Sequence, residues 1–184
     1  MLDIGTAAPD FTLSDCIDGK SVSLSDYAGK PLLVVFSCNH CPYVLQILDS
    51  FTLFGNQAQG RGLAIVMISA NDSVGYPDDS PEKMAILARQ HGFEFPYLVD
   101  ESQQVAIAYQ AACTPDFFLF DAAHRLVYRG QYDAARPGND AAVTGRDLKA
   151  AVAALLEDKA IPDHQLPSMG CNIKWRAGNE PDYF

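Results

Sequence analysis

Two cysteines separated by two residues stand where a predicted strand gives way to a predicted helix. Residues 32–36 form a continuous apolar run, which is typical of a strand buried on both faces. Beyond Cys38 and Cys41 the apolar residues change to helical spacing, at Val44, Ile47, Leu48 and Phe51. Two thiols placed in this way can close into a small disulfide and open again, and a dithiol redox catalyst requires that exchange.

Strands and helices alternate along the rest of the chain. A short hairpin is expected around residues 18–20, and a second buried strand at 63–68. The next helix should span residues 80–91, since a capping serine followed by a proline opens it. Residues 95–99 are expected at a sheet edge or in a loop, because Pro96 cannot donate to a strand ladder.

The remaining pattern completes an α/β arrangement. It predicts an end of the first helix at Gly55, a short helix at 102–110, a hairpin over 116–129 and a last helix capped by Thr144. A chain of 184 residues that is 48% hydrophobic is long enough for one well-buried core. We therefore expect a single domain of residues 1–157, on which the proline- and glycine-rich residues 158–184 pack as a tail.

The net charge limits the kinds of partner that the chain can bind. It carries 23 acidic and 13 basic residues, which gives a formal charge of -10. A nucleic-acid-binding protein needs a basic face to neutralise phosphates, so this class is disfavoured. Residues 1–5 lack the start of a secretory signal, and no later segment is apolar for long enough to cross a membrane. We predict a cytoplasmic protein without a membrane partner.

Five cysteines are too few, and odd in number, for a disulfide scaffold. In a reducing compartment such thiols are more often catalytic, metal-binding or simply buried. Cys16 is expected to be structural. Cys113 either reaches the dithiol or is a small buried residue. Cys171 lies on a tail long enough to cross the domain, so it could supply an additional resolving thiol.

Motifs in residues 5–13, 19–27, 36–44, 113–121, 136–139 and 170–175 carry a family resemblance. They resemble the thioredoxin superfamily and, within it, the redoxin or AhpC/TSA proteins of the peroxiredoxin-like-1 group. The resemblance implies a thioredoxin-like fold, with helices around a central mixed sheet, an N-terminal hairpin and a C-terminal tail extension. It also implies exchange with protein or small-molecule thiols and disulfides. Electrons would come from a reductase or a low-molecular-weight thiol, with no organic cofactor and no metal.

By the same resemblance, Thr114 and Pro115 should face the dithiol. In this superfamily the proline follows a cis peptide bond, and the residue before it offers its backbone to an extended substrate. The alternative is an ordinary trans proline at the mouth of a strand. The expected topology brings residues 132–139 to the same end of the sheet. Arg136 would there stabilise a thiolate or orient a substrate acid, or else cap a surface turn.

The two cysteines of the motif are expected to differ in role. If the helix starts at the motif, its unpaired amides favour a thiolate at Cys38, which would be the accessible nucleophile of low pKa. Cys41 lies about one turn further on and should attack the mixed disulfide to release the substrate thiol. His40 either stabilises the Cys38 thiolate or faces solvent.

Other functions remain open at this point. True peroxiredoxins have a Pro-x-x-x-Thr/Ser-x-x-Cys site, and alignment on Cys41 puts Val34 at the proline position and Cys38 at the hydroxyl position. The hydroxyl that the usual peroxiredoxin mechanism uses is therefore missing. A thiol-dependent peroxidase that forms a sulfenic acid is the enzyme alternative. The non-enzymatic alternatives are a redox sensor, a thioredoxin-like domain with buried and unreactive thiols, and a zinc site that Cys113, Cys171 or a histidine completes.

Overall fold

The computed structural model describes residues 2–183. Its strands are β1 (Thr12–Asp15), β2 (Ser21–Ser23), β3 (Leu32–Phe36), β4 (Ala64–Ser69), β5 (Tyr97–Val99), β6 (Cys113–Thr114), β7 (Asp116–Phe120), β8 (Leu126–Gly130) and β9 (Cys171–Asn172). Its α-helices are α1 (Pro42–Gln59), α2 (Pro81–His91), α3 (Gln104–Ala108) and α4 (Arg146–Leu156). Two short 3₁₀ helices span Leu24–Tyr27 and Pro77–Asp79.

Seven strands form one mixed sheet in the order β2-β1-β5-β4-β3-β7-β8. Strands β3, β4 and β5 run parallel, whereas the hairpins β1–β2 and β7–β8 join them antiparallel. Strands β6 and β9 form a separate antiparallel pair. The parallel strands end at one edge of the sheet, and the loop after β3 brings both cysteines of the motif to that edge. Ligands of open α/β sheets bind at this edge.

Strand β3 separates two apolar layers. Leu33 and Val35 pack in the same cluster as Phe51 of α1, whereas Val34 and Phe36 belong to the cluster on the other face. All five residues of β3 are buried, which confirms the prediction from its apolar run. Such burial contributes about 25 cal/mol per Å² of apolar surface, so the strand that leads to the cysteines is firmly held.

Two predictions about the central elements were wrong. Helix α1 continues through Gly55, because this glycine is required for packing: a Cβ there would lie 2.9 Å from the ring of Phe95. Strand β5 lies inside the sheet, since the N-terminal hairpin covers its outer side. Pro96 immediately precedes the strand, so its missing N–H costs no ladder hydrogen bond, while its carbonyl accepts one from Met67 at 3.0 Å.

The helix ends differ from expectation in two places, although α2 spans almost the predicted residues. Helix α3 is shorter than predicted, because left-handed backbone at Gln103 (φ 64°) and Gln110 (φ 50°) bounds it. Gly145 (φ 68°), and not Thr144, is the N-cap of α4. The Thr144 hydroxyl still accepts a hydrogen bond from the Arg146 amide at 3.2 Å.

The tail, residues 158–183, crosses the edge of the sheet that carries the cysteines. Its first half is held beside β8, where the Gln131 amide donates to the Leu166 carbonyl at 2.8 Å. Its second half supplies β9 and then packs near α3. The predicted limits of domain and tail at Met1 and Phe184 lie outside the described residues. Within the described part of the chain, no helix is both long and apolar enough to cross a membrane.

Candidate dithiol active site

Both cysteines of the motif lie between the end of β3 and the start of α1. Cys41 is the N-cap residue of α1, and the helix begins at Pro42. Both thiols are free, and Cys38 is 1% exposed while Cys41 is 0% exposed. The expectation of an accessible Cys38 at the first residue of a helix was therefore wrong, because the helix starts after Cys41 and both sulfurs are covered.

Thr114 contacts both sulfurs. Its hydroxyl Oγ1 lies 3.3 Å from Sγ of Cys38, and its carbonyl oxygen lies 3.1 Å from Sγ of Cys41. The peptide bond between Thr114 and Pro115 is cis. Strand β6 thus brings these two residues to the dithiol, in the arrangement that the family resemblance implies.

The two thiols share a proton unequally. The contact with the Cys41 side chain, followed by burial, raises the pKa of Cys38. The same contact lowers the pKa of Cys41, and contacts from Cys171 and the Val44 amide act in the same direction. The negative charge of the pair is therefore favoured on Cys41 and not on Cys38, and the Cys38 side chain is the main cause.

His40 is directed toward a buried carboxylate. Its Nδ1 lies 2.7 Å from Oδ2 of Asp79, and its ring stacks on Tyr76 with 5.7 Å between the centroids. The sequence predicted that His40 would act on the Cys38 sulfur or face solvent. In the structure its ring is partly buried and its nearest charged partner is Asp79. An electrostatic effect of His40 on the Cys38 sulfur therefore acts together with the negative charge of Asp79.

Asp79 was not identified from the sequence. It is 2% exposed and accepts hydrogen bonds from the Asn39 amide at 2.7 Å and from Nδ2 of Asn71 at 2.8 Å. In the sequence it stands in an acidic stretch before a helix, where carboxylates are usually exposed. Its burial depends on the 3₁₀ helix that turns it under the cysteine loop, and no local pattern encodes that contact.

Cys38, His40 and Asp79 bring three potential metal-ligating atoms within 4.8 Å of one another. A thiolate, an imidazole and a carboxylate are all ligands that Zn²⁺ accepts, usually in a four-coordinate site. The zinc hypothesis stays a prediction. The predicted site is the Cys38–Cys41 pair completed by Cys113, Cys171 or a histidine. The structure groups Cys38 and His40 with Asp79, and it packs Cys171 beside the two cysteines.

The three other cysteines occupy different environments. Cys16 follows β1, and burial raises its pKa to about 12. Cys113 is buried on β6 with Sγ 3.6 Å from the Pro115 carbonyl, and burial raises its pKa. Cys171 on β9 packs against the apolar cluster that contains the dithiol, and its side chain interacts with Cys41. The tail thus adds a third sulfur to the site.

Arg136 organises its own loop. Its Nη1 donates to the carbonyl oxygens of Asp133 at 2.7 Å and of Ala135 at 2.6 Å, and its Nη2 donates to Oε1 of Gln131. These bonds correspond to the predicted alternative of an arginine that caps a turn. The structure does not place its guanidinium on the dithiol.

Asp116 is a second buried carboxylate near the dithiol that was not identified from the sequence as a site residue. Asp116 directly follows Pro115, and burial raises its pKa to about 6. Ser168 and Arg129 partly offset that burial, as does the Ala112 amide, which donates to Oδ2 at 3.3 Å. Asp116 therefore links β7 to the tail beside the dithiol.

The family follows from comparison with known proteins. The sequence model of the AhpC/TSA family matches residues 4–129. The chain belongs to the AhpC/TSA family. The thiol-disulfide oxidoreductase ResA of Geobacillus thermodenitrificans (strain NG80-2) is 32% identical over 125 residues, covering 64% of this chain and 63% of that protein. A Mycobacterium tuberculosis (strain ATCC 25618 / H37Rv) protein named as a candidate peroxiredoxin is 36% identical over 111 residues, 58% of this chain and 63% of that protein.

Solved structures extend the likeness of this AhpC/TSA protein to the tail. The crystal structure of a hypothetical protein from Sinorhizobium meliloti 1021 has a TM-score of 0.94 and 47% identity, and 97% of each chain is covered. The thioredoxin domain of a Bacteroides vulgatus thiol-disulfide oxidoreductase has a TM-score of 0.59 and 24% identity, with 70% of this chain and 89% of that chain covered. The fold is thioredoxin-like, as the resemblance implied. The aligned region spans less than two thirds of the two curated relatives above.

Proposed function

We propose that this AhpC/TSA protein is a thiol–disulfide oxidoreductase that uses Cys38 and Cys41 as its dithiol. The observation that carries the proposal is that Thr114, which precedes a cis proline, contacts both sulfurs at the end of the buried central strand β3. The likeness to ResA supports the same chemistry. The substrates would be disulfides of proteins or small molecules, and a reductase or a low-molecular-weight thiol would restore the dithiol. The cytoplasmic location stays a prediction.

The unequal protonation of the pair suggests how the reaction proceeds. Once the site is uncovered, Cys38 passes its proton to Cys41, and the Cys38 thiolate attacks one sulfur of the substrate disulfide, whose other sulfur leaves as a thiolate. The Cys41 thiol then gives this proton to the departed substrate thiolate, and its sulfur attacks the Cys38 sulfur of the mixed disulfide and releases the second substrate thiolate. Two electrons leave the protein, which is left with a Cys38–Cys41 disulfide.

Insulin reduction with dithiothreitol as electron donor tests the proposal. Cys38→Ser and Cys41→Ser should each lower the rate above background at least about a hundredfold, because neither can close the internal disulfide. Cys41→Ser should accumulate a mixed disulfide on Cys38. Cys16→Ser is the matched control and should keep the wild-type rate, since Cys16 lies after β1. Full activity of either dithiol variant would show that the proposal is wrong.

The peroxidase alternative has its own support, because a relative is named as a candidate peroxiredoxin. Hydrogen peroxide consumption measured on the same samples separates the two activities. A peroxidase would consume peroxide at least as fast as it reduces insulin, and it would keep one cysteine as a sulfenic acid when the other is replaced. The absence of that species in Cys38→Ser and Cys41→Ser would favour disulfide exchange.

A further inference from the structure

The tail occupies the face of the site from which a substrate would have to approach. Both sulfurs of the dithiol are covered, and Cys171 belongs to the layer of side chains packed on them. Strand β9 pairs antiparallel with β6, so that Cys171 stands opposite Thr114. Thr114 is the residue that contacts both sulfurs. An extended segment of the chain's own tail is therefore already paired beside the dithiol, with a thiol at its centre.

Gly170 fixes how closely the tail approaches. A Cβ built at Gly170 would lie 2.0 Å from the carbonyl oxygen of Thr114 and 2.5 Å from its carbonyl carbon, a separation that real Cβ atoms do not reach. Both contacts are to backbone, so a side-chain rotation could not relieve them. The pairing of β9 with β6 at this distance consequently requires a glycine at position 170.

Anchors on both sides of β9 hold Cys171 in place. Before the strand, the Ser168 hydroxyl donates to the Gly130 carbonyl at 2.8 Å. After it, the Lys174 amide donates to Oδ1 of Asn71 at 2.9 Å, and the Lys174 carbonyl accepts from the Asp72 amide at 2.8 Å. The tail thus presents its thiol to the dithiol at a high effective concentration, which favours reaction within the chain over reaction with an external thiol.

We propose that Cys171 is a third exchanging thiol of this site, delivered to the Cys38–Cys41 disulfide by β9 as a built-in substrate. The inference builds on the proposed function, because it begins from the oxidised dithiol. The Cys171 thiolate attacks the sulfur of Cys41, the Cys38–Cys41 bond breaks, and a Cys41–Cys171 bond forms. Cys38 leaves as a thiolate and takes up the proton that Cys171 released. The exchange needs no external oxidant, because the protein keeps one disulfide throughout.

The local charges favour this exchange in the oxidised protein. In the reduced protein, burial and then the neighbouring Cys41 sulfur raise the pKa of Cys171 to about 11, while Lys174 opposes the rise. Once Cys41 is part of a disulfide it carries no negative charge, so its contribution to that rise disappears. The product holds the tail covalently over Thr114 and leaves Cys38 as a free thiol. The oxidised protein would then divide between a form with a free tail and a form with a locked tail.

Disulfide mapping of the full chain tests the proposal. Wild type and single variants are oxidised with glutathione disulfide, the remaining thiols are blocked at low pH, and the unreduced protein is digested with trypsin. Cleavage at lysine and arginine leaves Cys38 and Cys41 on one peptide and puts Cys113 and Cys171 on two others. Wild type and Cys38→Ser should link the first peptide to the Cys171 peptide. Cys41→Ser should reduce that link at least about tenfold, since the geometry favours Cys41.

Controls separate this outcome from the alternatives. Cys113→Ser should leave the link unchanged, whereas a link that moves to Cys113 would overturn the proposal. If Cys38→Ser forms glutathione adducts on Cys41 and no bond to Cys171, Cys171 is not an exchanging thiol. Insulin reduction is measured on separate samples. An absent link with intact insulin reduction overturns this inference alone, and an absent insulin reduction overturns the proposed function.

Gly170→Ala provides a second test that spares every cysteine. The added methyl should lift β9 from Thr114, so the Cys171 link should fall several-fold while the rate at which iodoacetamide alkylates the reduced dithiol should rise about tenfold. Gly60→Ala is the matched control, because its Cβ would meet an atom at an ordinary 3.5 Å, far from the site. An unchanged link and an unchanged alkylation rate in Gly170→Ala would show that β9 does not deliver Cys171.

Discussion

The N-terminal hairpin and the C-terminal tail both extend the central domain, but they are held in different ways. Strand β1 is paired on both sides, with β2 and with β5, and the buried Phe11 anchors its start. The tail forms one two-residue pair, and many of its other hydrogen bonds to the domain join its own side chains, such as Gln165 and Tyr183, to backbone groups. The hairpin is therefore part of the sheet, whereas the tail lies on it.

This difference has a functional meaning. A dithiol with both sulfurs covered can meet a substrate only if something moves, and the sheet cannot move without losing its core. A tail held by one two-residue strand pair and by separate hydrogen bonds along its length can open locally while the sheet stays folded. We therefore expect opening at the tail and none at the hairpin.

Hydrogen exchange should show the largest contrast between the two regions. The Cys16 amide donates to the Tyr97 carbonyl at 2.9 Å, and the Lys174 amide donates to Oδ1 of Asn71 at the same distance. Bond length therefore does not distinguish them. Because Cys16 should exchange through global unfolding and Lys174 through local opening, the Lys174 amide should exchange at least about a thousandfold faster. Equal protection, measured by NMR, would mean that the tail opens only when the whole domain unfolds.

Truncation of one buried side chain in each region should show the next largest difference. Phe11→Ala removes a ring that is 3% exposed, and it should lower the free energy of unfolding by about 3–5 kcal/mol. Ile173→Ala removes a side chain buried to the same degree. If the tail opens before the domain unfolds, Ile173→Ala should lower the free energy of global unfolding by less than about 1 kcal/mol. Urea denaturation measures both values, and similar losses would place tail and hairpin in one cooperative unit.

The fold was largely predictable because its signals are local. The apolar run of β3 and the serine, proline and glycine around α2 act over a few residues, and both elements lie close to where they were expected. The predictions at Gly55 and Pro96 were wrong because both depend on neighbouring elements. Gly55 stays inside α1 since its packing partner leaves no room for a side chain, and the strand after Pro96 is inside the sheet since β1 covers it. The packing of Gly55 against Phe95 joins residues that are distant in sequence.

The site was predictable at its sulfurs and unpredictable around them. The spacing of Cys38 and Cys41 identified the dithiol, and the family resemblance supplied Thr114. The unequal pKa values of the pair depend mainly on the contact between the two sulfurs and on their burial, and the spacing of the cysteines does not show which one is the more acidic. The burial of Asp79 under the cysteine loop and the position of Cys171 opposite Thr114 both depend on contacts between segments distant in sequence, so no spacing in the sequence reveals them.

Asp116 gives the smallest expected effect and connects the tail to the sheet. Its folded-state pKa of about 6 lies above the ordinary 3.8, so its contribution to stability is fully present below about pH 4 and is lost as pH rises through 6. A shift of that size corresponds to about 3 kcal/mol. Asp116→Asn should remove this part of the pH dependence, so the stability difference between variant and wild type should change with pH between 4 and 6.5.

The control for this measurement lies in the hairpin. Burial also raises the pKa of Asp15, so Asp15→Asn should likewise change the pH dependence of unfolding. The two variants should differ in the tail: since Ser168 contacts Asp116, only Asp116→Asn should alter how exchange at Lys174 depends on pH. Denaturation curves at several pH values, combined with hydrogen exchange, test both points. A constant offset between Asp116→Asn and wild type from pH 4 to 6.5 would mean that this carboxyl titrates normally and does not couple the tail to the sheet.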